Sequence, residues 1–431
     1  MLAPEPTTIL TGWKEIAAHL GVEKSTAQRW AKQRGLPVRY LPGSNSRVVA
    51  DRAALDAWIL AGRSVQDSGP ADPPPAEQPP ASRPAQPRQR VYLFAAAATL
   101  FGAAASYGWF VSHRLMDGFR LQGSTLVGTT AEGTEIWRRA LDDPQGEQTK
   151  QDLALHTWLG DLNGDGHKEL LFLTEPSDAA RKITSTLVCF NEHGKVMWRF
   201  PAGRPVTDAS GDHMLPPYGA RQVMVMRGKK PTDTRIVVSS SHYLSQPHQV
   251  AFLDPHGIVV GEYWHPGHLM AMSQADLDGG GRNELLLAGV NNGNHQATLV
   301  VLDPLLVRGA MTPTQMRDDR FRLLGMPAAH EKAVVFFPRS CLSTGKPFTV
   351  AAGLFITPER IMVQVAEEPA TASPELVYEF DYGLRPTNVV PTGDAVRIKH
   401  QEMEAKGELD HPYSLACWTH LKDQVVVQRA P

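Results

Sequence analysis

A proline-rich segment divides this chain more sharply than any other feature of the sequence. Residues 64–90 contain eight prolines and almost no apolar side chains. Such a segment stays extended, in polyproline II geometry, because it has too little apolar surface to bury. At 431 residues the chain is long enough for two or three domains. We therefore predict a Pro-rich disordered linker at 64–90 between separately folded parts.

An uncharged apolar run follows the linker. Residues 91–112 read VYLFAAAATLFGAAASYGWFVS, which as a helix is long enough to cross the hydrocarbon core of a membrane. Aromatic residues near its ends and arginines before it predict a single span of a bacterial-type inner membrane. The N-terminus would be cytoplasmic and the C-terminal domain periplasmic or extracellular. The alternative is a buried, Ala-rich helix. A small-residue stripe at Ala98, Gly102 and Ser106 would let two spans approach, which predicts a homodimer.

The segment before the linker is compact and basic. Residues 1–63 contain nine Lys and Arg against five Asp and Glu, a net charge of +4 (9 − 5), although the whole chain carries −2. Apolar periodicity predicts helices at 13–20, 24–34 and 52–60, and two strand-like runs around a Pro-Gly turn predict a β-wing. The second helix and the wing carry side chains that can reach bases and phosphates of DNA. These candidate DNA-binding residues are Lys24, Ser25, Thr26, Gln28, Arg29, Lys32, Arg39 and Arg47.

Three stretches carry a family resemblance, namely TGWKEIAAHLGVEKSTAQRW, RGLPVRY and RVVADRAALDAWI. They resemble the MerR/excisionase-like winged helix-turn-helix family. The resemblance implies that the second helix enters a major groove of DNA. Glu23 departs from the pattern, because the family often has Ser or Thr as a helix cap there. The alternative is a helical domain that binds protein.

Residues 113–431 are predicted to form an all-β domain, because short apolar runs alternate with Gly, Pro, Asn and Asp turns. The sharpest motif is DLNGDGHKE at 161–169. Side-chain oxygens at positions one, three, five and nine, with a backbone carbonyl at seven, can surround one Ca²⁺. A strand-like run follows, rather than the helix of an EF-hand. The candidate ligands are Asp161, Asn163, Asp165, Glu169 and the carbonyl of His167; the alternative is a polar turn without an ion.

A second copy of this motif, DLDGGGRNE, occupies residues 276–284. It offers Asp276, Asp278 and Glu284, but Gly280 replaces the ligand at position five, so we expect weak Ca²⁺ binding or none. Strand, glycine turn, strand and aromatic residue also recur at 124–138, 186–200 and 249–264, around Trp137, Trp198 and Trp264. The two elements resemble the FG-GAP/VCBS repeats of integrin-like β-propellers over residues 119–305. The resemblance implies a Ca²⁺-binding, propeller-like domain.

No Gly-x-Ser-x-Gly, His-Glu-x-x-His or phosphate-binding loop occurs in the sequence, so we expect a protein that is not an enzyme. The three cysteines lie far apart, which leaves a disulfide in an exported domain or three buried small side chains. Residues 402–411 are expected to form a charged, solvated helix and turn. Five histidines are expected on loops, either solvated or as a metal-binding or pH-sensitive patch: His242, His248, His256, His265 and His268.

The predicted fold class is multidomain. It comprises a small α-helical winged helix-turn-helix domain (1–63), the linker, one transmembrane helix (91–112) and an all-β propeller-like domain (113–431). This order predicts a membrane-anchored one-component transcriptional regulator, whose DNA-binding head is coupled to an extracytoplasmic, Ca²⁺-binding sensor of an unknown ligand or protein. The alternative is an adhesion or scaffold membrane protein whose head binds a cytoplasmic protein.

Overall fold

The structure is a computed structural model. It describes residues 9–33, 35–40, 48–64, 115–141, 150–174, 184–242, 246–343, 345–368, 373–414 and 416–430. The chain divides into two compact units, Met1–Ala95 and Ala96–Pro431, here called the N-terminal unit and the C-terminal unit. Residues 65–90 of the expected linker, the apolar run at 91–112 and Arg47 lie outside the described residues.

The N-terminal unit combines helices with a small sheet. Its elements are β1 (Ile9–Thr11), α1 (Trp13–Leu20), α2 (Lys24–Gln33), β2 (Arg39–Tyr40), β3 (Val48–Asp51) and α3 (Arg52–Ser64). The three strands form an antiparallel sheet with β3 in the centre. The prediction of a small α-helical domain is corrected by this three-stranded sheet, which includes the unexpected strand β1.

A glycine turn sets the angle between α1 and α2. Gly21 ends α1 with φ of 66°, a left-handed conformation that residues with a Cβ atom adopt less readily. Ile16 and Ala27 are then fully buried in the core of the unit. The Trp30 and Trp58 rings lie 5.7 Å apart and connect α2 to α3. Because this apolar side of α2 faces inward, the polar side of the helix faces solvent.

The C-terminal unit consists mainly of five antiparallel sheets that follow one another along the chain. Sheet I contains β4 (Gly118–Gln122), β5 (Thr125–Thr129) and β6 (Glu135–Ala140). Sheet II contains β7 (Thr157–Gly160), β8 (Glu169–Leu173), β9 (Thr186–Phe190) and β10 (Val196–Pro201). A two-stranded ribbon, β11 (Val206–Thr207) and β12 (His213–Met214), follows.

The remaining three sheets are larger. Sheet III contains β13 (Tyr218–Met226), β14 (Arg235–His242), β15 (His248–Leu253) and β16 (Val259–His265), and β20 (Arg308–Ala310) is added parallel to β16. Sheet IV contains β17 (Leu269–Ala275), β18 (Glu284–Asn291), β19 (Gln296–Leu302), β21 (Glu331–Phe336) and β26 (Val426–Arg429). Sheet V contains β22 (Val350–Ile356), β23 (Ile361–Ala366), β24 (Glu375–Phe380) and β25 (Pro386–Pro391).

Successive sheets pack face to face. The first strands of sheets II to V contact one another in series, β7 with β13, β13 with β17 and β17 with β22. A separate hydrophobic core fills each space between neighbouring sheets. The middle strands β8, β15 and β18 are buried on both faces, which explains their continuous apolar runs. Meander sheets whose first strands adjoin in this way are the arrangement of propeller blades.

Helices are also part of the C-terminal unit, so the expectation of an all-β domain was wrong. They are α4 (Lys150–His156), α5 (Gly393–Ala405) and α6 (Ala416–Thr419). The helix α5 buries Val396, His400 and Met403, whereas residues 402–411 were expected to be solvated. Val396, His400 and Met403 follow one another at spacings of four and three residues, which places them on one face of the helix.

A transmembrane helix was also part of the expected fold class, and the lengths of the described helices correct this expectation. Among the described residues no helix is both long and apolar enough to cross a membrane. The longest, α3 and α5, have 13 residues each, which as helices span about 20 Å of the roughly 30 Å hydrocarbon core. The same finding overturns the expected single-pass localisation in an inner membrane, with its periplasmic or extracellular C-terminal domain.

Candidate functional site

The outward face of α2 is positively charged. Lys24, Arg29 and Lys32 are exposed on it, and the ten residues of the helix include no acidic side chain. Of the other candidates for DNA contact, Ser25 is exposed and Thr26 and Gln28 are half-buried. The structure therefore brings six of the eight predicted residues together on one short helix.

The remaining candidates for DNA contact belong to the expected wing. Arg39 is exposed on β2, while Arg47 lies outside the described residues. Glu23 precedes α2, and its backbone carbonyl accepts hydrogen bonds from the amides of Thr26 and Ala27. The turn is thus formed by the backbone, although the Ser or Thr cap of the family is missing.

The two acidic motifs form nine-residue loops with the same hydrogen-bonded framework. Loop 1 (161–169) joins β7 to β8, and loop 2 (276–284) joins β17 to β18. In both loops the amide at position six donates to the first carboxylate, at 3.0 Å in loop 1 and 2.7 Å in loop 2. In both, the amide at position two donates to the final glutamate, at 2.8 Å and 2.9 Å. The loops are therefore structural repeats as well as sequence repeats.

Loop 2 already contains a cation, the ammonium group of Lys332. Its Nζ lies 3.0 Å from Asp278 Oδ2 and 2.6 Å from Glu284 Oε1. The hydrogen bond from Lys332 lowers the pKa of Asp278 below its ordinary value. Ligand oxygens of Asp276, Asp278 and Glu284 converge within 4.8 Å of one another around this position. Weak Ca²⁺ binding was expected because of Gly280; Lys332 adds a second and stronger reason, since its charge occupies the place of an ion.

Loop 1 has a methionine where loop 2 has this lysine. Met197 is the bulge residue between Val196 and Trp198 on β10. Lys332 is the bulge residue after Glu331 on β21. In sheet II the residue after the loop 1 glutamate pairs with the last residue of β9. In sheet IV the residue after the loop 2 glutamate pairs with the last residue of β19. The registers of the two sheets therefore agree. Met197 and Lys332 were both missed in the sequence, because they lie far from the loops along the chain.

The carboxylates of loop 1 are turned toward their own backbone. Asp165 accepts hydrogen bonds from the His167 amide at 2.8 Å and from Asn163 Nδ2 at 3.0 Å. Within the described part of the chain, no group of three converging His, Cys, Asp or Glu ligand atoms includes a loop 1 residue. Burial raises the pKa of Glu169, which is 1 % exposed, and the nearby Asp165 and Asp161 raise it further. The loop thus concentrates negative charge without bringing its carboxylate oxygens to one point.

Two of the five histidines expected on loops are buried between strands. His248, on β15, contacts the hydroxyls of Ser239 and Ser241 at 2.7 and 2.9 Å. His265, on β16, lies 3.1 Å from the carbonyl oxygen of Val290 through Nε2. Burial lowers the pKa of His248 well below its ordinary value and lowers that of His265 to about 3. These histidines are therefore neutral parts of the core rather than a solvated patch.

Comparison with known proteins adds little to this geometry. No protein-family model matches the chain, and no curated protein matches it. Among solved structures, a protein of unknown function from Bacteroides caccae is 8 % identical, covers 65 % of this chain and 94 % of its own, and has a TM-score of 0.25. The WD40 domain of Neurospora crassa Pan2 is 9 % identical, with 64 % and 71 % covered and a TM-score of 0.25.

A third solved structure is a GH43 β-1,3-galactosidase with bound galactodeoxynojirimycin. It is 11 % identical to this chain, covers 64 % of it and 87 % of its own length, and has a TM-score of 0.28. Similarity at this level carries no argument about activity, substrate or partner. The candidate sites therefore rest on the residues themselves.

Proposed function

We propose that the N-terminal unit binds DNA and that the protein is a transcriptional regulator whose C-terminal unit binds a regulatory ligand or protein. The observation that carries this proposal is the exposed face of α2, with three cations and no acidic residue. A helix of this size fits the major groove, which is about 12 Å wide. Lys24, Arg29 and Lys32 would contact phosphates or guanine edges, while Ser25 and Gln28 offer hydrogen bonds to other bases.

Arg39 on β2 supports the same surface. It is exposed on the small sheet that α1 and α3 cover, where a wing strand would contact the phosphate backbone. The buried residues Ile16, Ala27 and Leu55 hold the helices in place. The surface for DNA is thus presented by a rigid core rather than by a flexible segment.

A salt series with the full chain tests DNA binding. We expect wild-type protein to select sequences from a pool of genomic fragments, with an affinity that falls steeply as salt rises. Arg29→Ala with Lys32→Ala should weaken binding to all fragments and reduce the slope of log affinity against log salt by about 2. The matched control is Arg385→Ala with Lys406→Ala, which removes the same charge from exposed positions of the C-terminal unit.

The outcome also separates the two classes of function. Equal binding by wild type and both double variants would show that α2 is not the DNA surface. A wild-type protein without salt-dependent DNA affinity would favour a scaffold whose N-terminal unit binds protein. Loss of binding in the α2 variant alone supports the regulator, and the selected sequence then identifies its operator.

We further propose that loop 1 binds Ca²⁺. Its framework matches that of loop 2, where the Lys332 ammonium marks the position of a cation between the third and ninth residues. Loop 1 carries Asn163, Asp165 and Glu169 at its third, fifth and ninth positions, and the residue at the register of Lys332 is the uncharged Met197. Small rotations of Asp165 away from its own backbone would complete an oxygen shell of the kind Ca²⁺ prefers. The ion would then fix the geometry of the loop.

Titration calorimetry with Ca²⁺ on the full chain tests this site. Met197→Lys should supply the internal cation found in loop 2 and abolish binding, because two positive charges would compete for the same carboxylates. Met197→Leu, which changes shape but not charge, should bind Ca²⁺ like the wild type. Binding of equal strength in Met197→Lys, or no binding by the wild type, would contradict the proposal.

A further inference from the structure

The helix α5 carries a histidine where its packing calls for an apolar side chain. His400 lies between Val396 and Met403 on the buried face of the helix and is fully buried. Neither ring nitrogen has a hydrogen-bond partner among the residues that the structure describes. A buried polar group without a hydrogen-bond partner destabilises a folded protein. Such a cost at the centre of a core indicates that something else satisfies this imidazole.

Three further metal-binding side chains surround His400. Ligand atoms of Cys341, His400 and His411 all lie within 4.8 Å of one another. Cys417 joins them, since its Sγ lies 3.7 Å from Nδ1 of His411. The four residues come from separate segments, namely the turn after β21, the middle of α5, the loop after α5, and α6. Only folding brings them together, which is why the sequence spacing of the cysteines gave no indication of a site.

We propose that Cys341, His400, His411 and Cys417 form a binding site for a transition-metal ion, with Zn²⁺ as the best match. Two sulfurs and two imidazole nitrogens are a ligand set typical of tetrahedral zinc, and they do not suit Ca²⁺. With bonds of about 2.0 Å to nitrogen and 2.3 Å to sulfur, a tetrahedral ion separates its ligand atoms by roughly 3.3–3.8 Å. The separations among Cys341, His400 and His411, all within 4.8 Å, need to close by only about 1 Å, which side-chain rotation can supply, and the 3.7 Å between Cys417 Sγ and His411 Nδ1 already fits.

The surroundings of the cluster suit such an ion. The Tyr413 and Trp418 rings meet the His400 ring edge-on, with centroids 5.5 and 5.9 Å away, and they limit its rotation. On the other side, a cleft of about 490 Å³ opens onto Cys341, His411 and Cys417. The ion can enter through this cleft. Once bound, it would join α5, α6 and the turn after β21 into one cross-linked cap.

Metal binding by the untagged, reduced full chain tests the proposal. We expect one equivalent of Zn²⁺ by elemental analysis. Replacement with Co²⁺ should give the intense charge-transfer absorption of thiolate ligands, which the carboxylates of loops 1 and 2 cannot produce. Cys341→Ala and Cys417→Ala should each weaken the metal affinity at least about 100-fold. Cys189→Ala is the matched control, since Cys189 lies on β9 in a different core and its removal should leave metal binding unchanged.

His400→Phe separates a metal site from a merely structural histidine. Phenylalanine preserves the apolar face of α5, so we expect this variant to fold, to lose the metal, and to show no rise in melting temperature on adding Zn²⁺. The wild type should show that rise. The proposal is overturned if the reduced wild type takes up no Zn²⁺ or Co²⁺, or if metal affinity survives all three substitutions. Formation of a Cys341–Cys417 disulfide by a protein that binds no metal would identify a redox pair instead.

Discussion

His248 and His265 hold neutral imidazoles between sheets III and IV, where each contacts a residue of the neighbouring sheet. Leu269 donates its amide to His248 at 3.2 Å, and His265 contacts Val290 at 3.1 Å. Burial is the main reason that both pKa values lie below the ordinary histidine value. Near pH 6 these two histidines take up protons readily only in the unfolded chain. The packing of sheets III and IV therefore becomes less stable as pH falls.

We predict that the C-terminal unit loses stability as pH falls below about 6.5. The folded pKa of His265 is about 3, so its contribution is complete above the unfolded value of about 6.5 and disappears as pH decreases toward 3. The buried His265 should cost about 2 kcal/mol at pH 5. Denaturant titrations at pH 7.5, 6 and 5 measure the effect. His265→Gln should flatten the dependence, and His256→Gln, a substitution at an exposed turn, is the matched control.

Lys332 is the residue whose removal should make loop 2 depend on an ion. Lys332→Met leaves Glu284, which is 1 % exposed, without its cation, and we expect a loss of about 2 kcal/mol in the absence of Ca²⁺. Added Ca²⁺ should restore part of that loss, as measured by thermal unfolding with and without the ion. Lys229→Met is the control, because Lys229 contacts the backbone carbonyl of Gly280 instead of a carboxylate. Equal behaviour of the two variants would contradict the assignment of Lys332.

The acidic loops could be predicted from sequence because all their candidate ligands lie within nine residues. Lys332 could not, since 48 residues separate it from Glu284 and only the pairing of β19 with β21 brings them together. His400 was likewise out of reach, because a histidine within a charged segment has no local sign of burial. Sites formed by residues close together in the sequence could therefore be predicted, whereas contacts formed between distant segments could not.

At the scale of elements, one hairpin type recurs in four of the sheets. The turns after Thr130, Asn191, Asp254 and Asp381 share a backbone hydrogen bond from the fourth residue of the turn to the first carbonyl. In two of them the turn glycine lies under a tryptophan of the preceding sheet. Trp137 covers Gly194, and Trp198 covers Gly257. The repeat joins neighbouring sheets as well as neighbouring strands.

We predict that Gly257→Ala is far more costly than Gly133→Ala. Both glycines have φ of 80°, a strain of about 1 kcal/mol for alanine. At Gly257 a Cβ atom would also lie 2.5 Å from the Trp198 ring, whereas at Gly133 it would meet nothing within 4 Å. Trp198 is held by its hydrogen bond to Pro255, so we expect a loss of at least 3 kcal/mol against about 1. Equal losses in denaturant unfolding would show that Trp198 moves aside.

Element positions followed from sequence patterns more readily than their partners did. The helices at 13–20 and 24–33 lie where apolar periodicity indicated. The expected repeat of three tryptophans was wrong in its third member. Trp137 and Trp198 each lie four residues after the glycine of the preceding turn. In sheet III the residue four after the turn glycine is Gly261, and Trp264 lies three residues further along β16. Spacing alone could not reveal this shift, because strands of unequal length still give similar intervals.

At the scale of the whole molecule, each of the two units has hydrophobic cores made of its own residues. The core around Ile16 and Leu55 belongs to the N-terminal unit. The cores around Trp264, Leu286 and Phe190 belong to the C-terminal unit. Composition alone suggested separate parts, since the proline-rich segment 64–90 offers little apolar surface. Units with their own cores can unfold independently.

We predict two unfolding transitions for the full chain. Leu55→Ala, which empties a fully buried position, should lower the stability of the N-terminal unit by about 2–4 kcal/mol and leave the other transition unchanged. Leu286→Ala should do the reverse. Hydrogen exchange read out by segment measures both. A single cooperative transition that shifts with either substitution would show that the units are energetically coupled.

The last described strand, β26, has a consequence for how this protein is made. Val426 pairs with Phe336, 90 residues earlier in the chain (426 − 336). At roughly 5–20 residues per second, a ribosome needs roughly 5–20 s to synthesise that stretch. During this interval sheet V can fold, while the edge of β21 that later pairs with β26 remains unpaired. An unpaired edge of this kind is a site of aggregation, so the nascent chain is briefly prone to aggregate until β26 has been synthesised and pairs with β21.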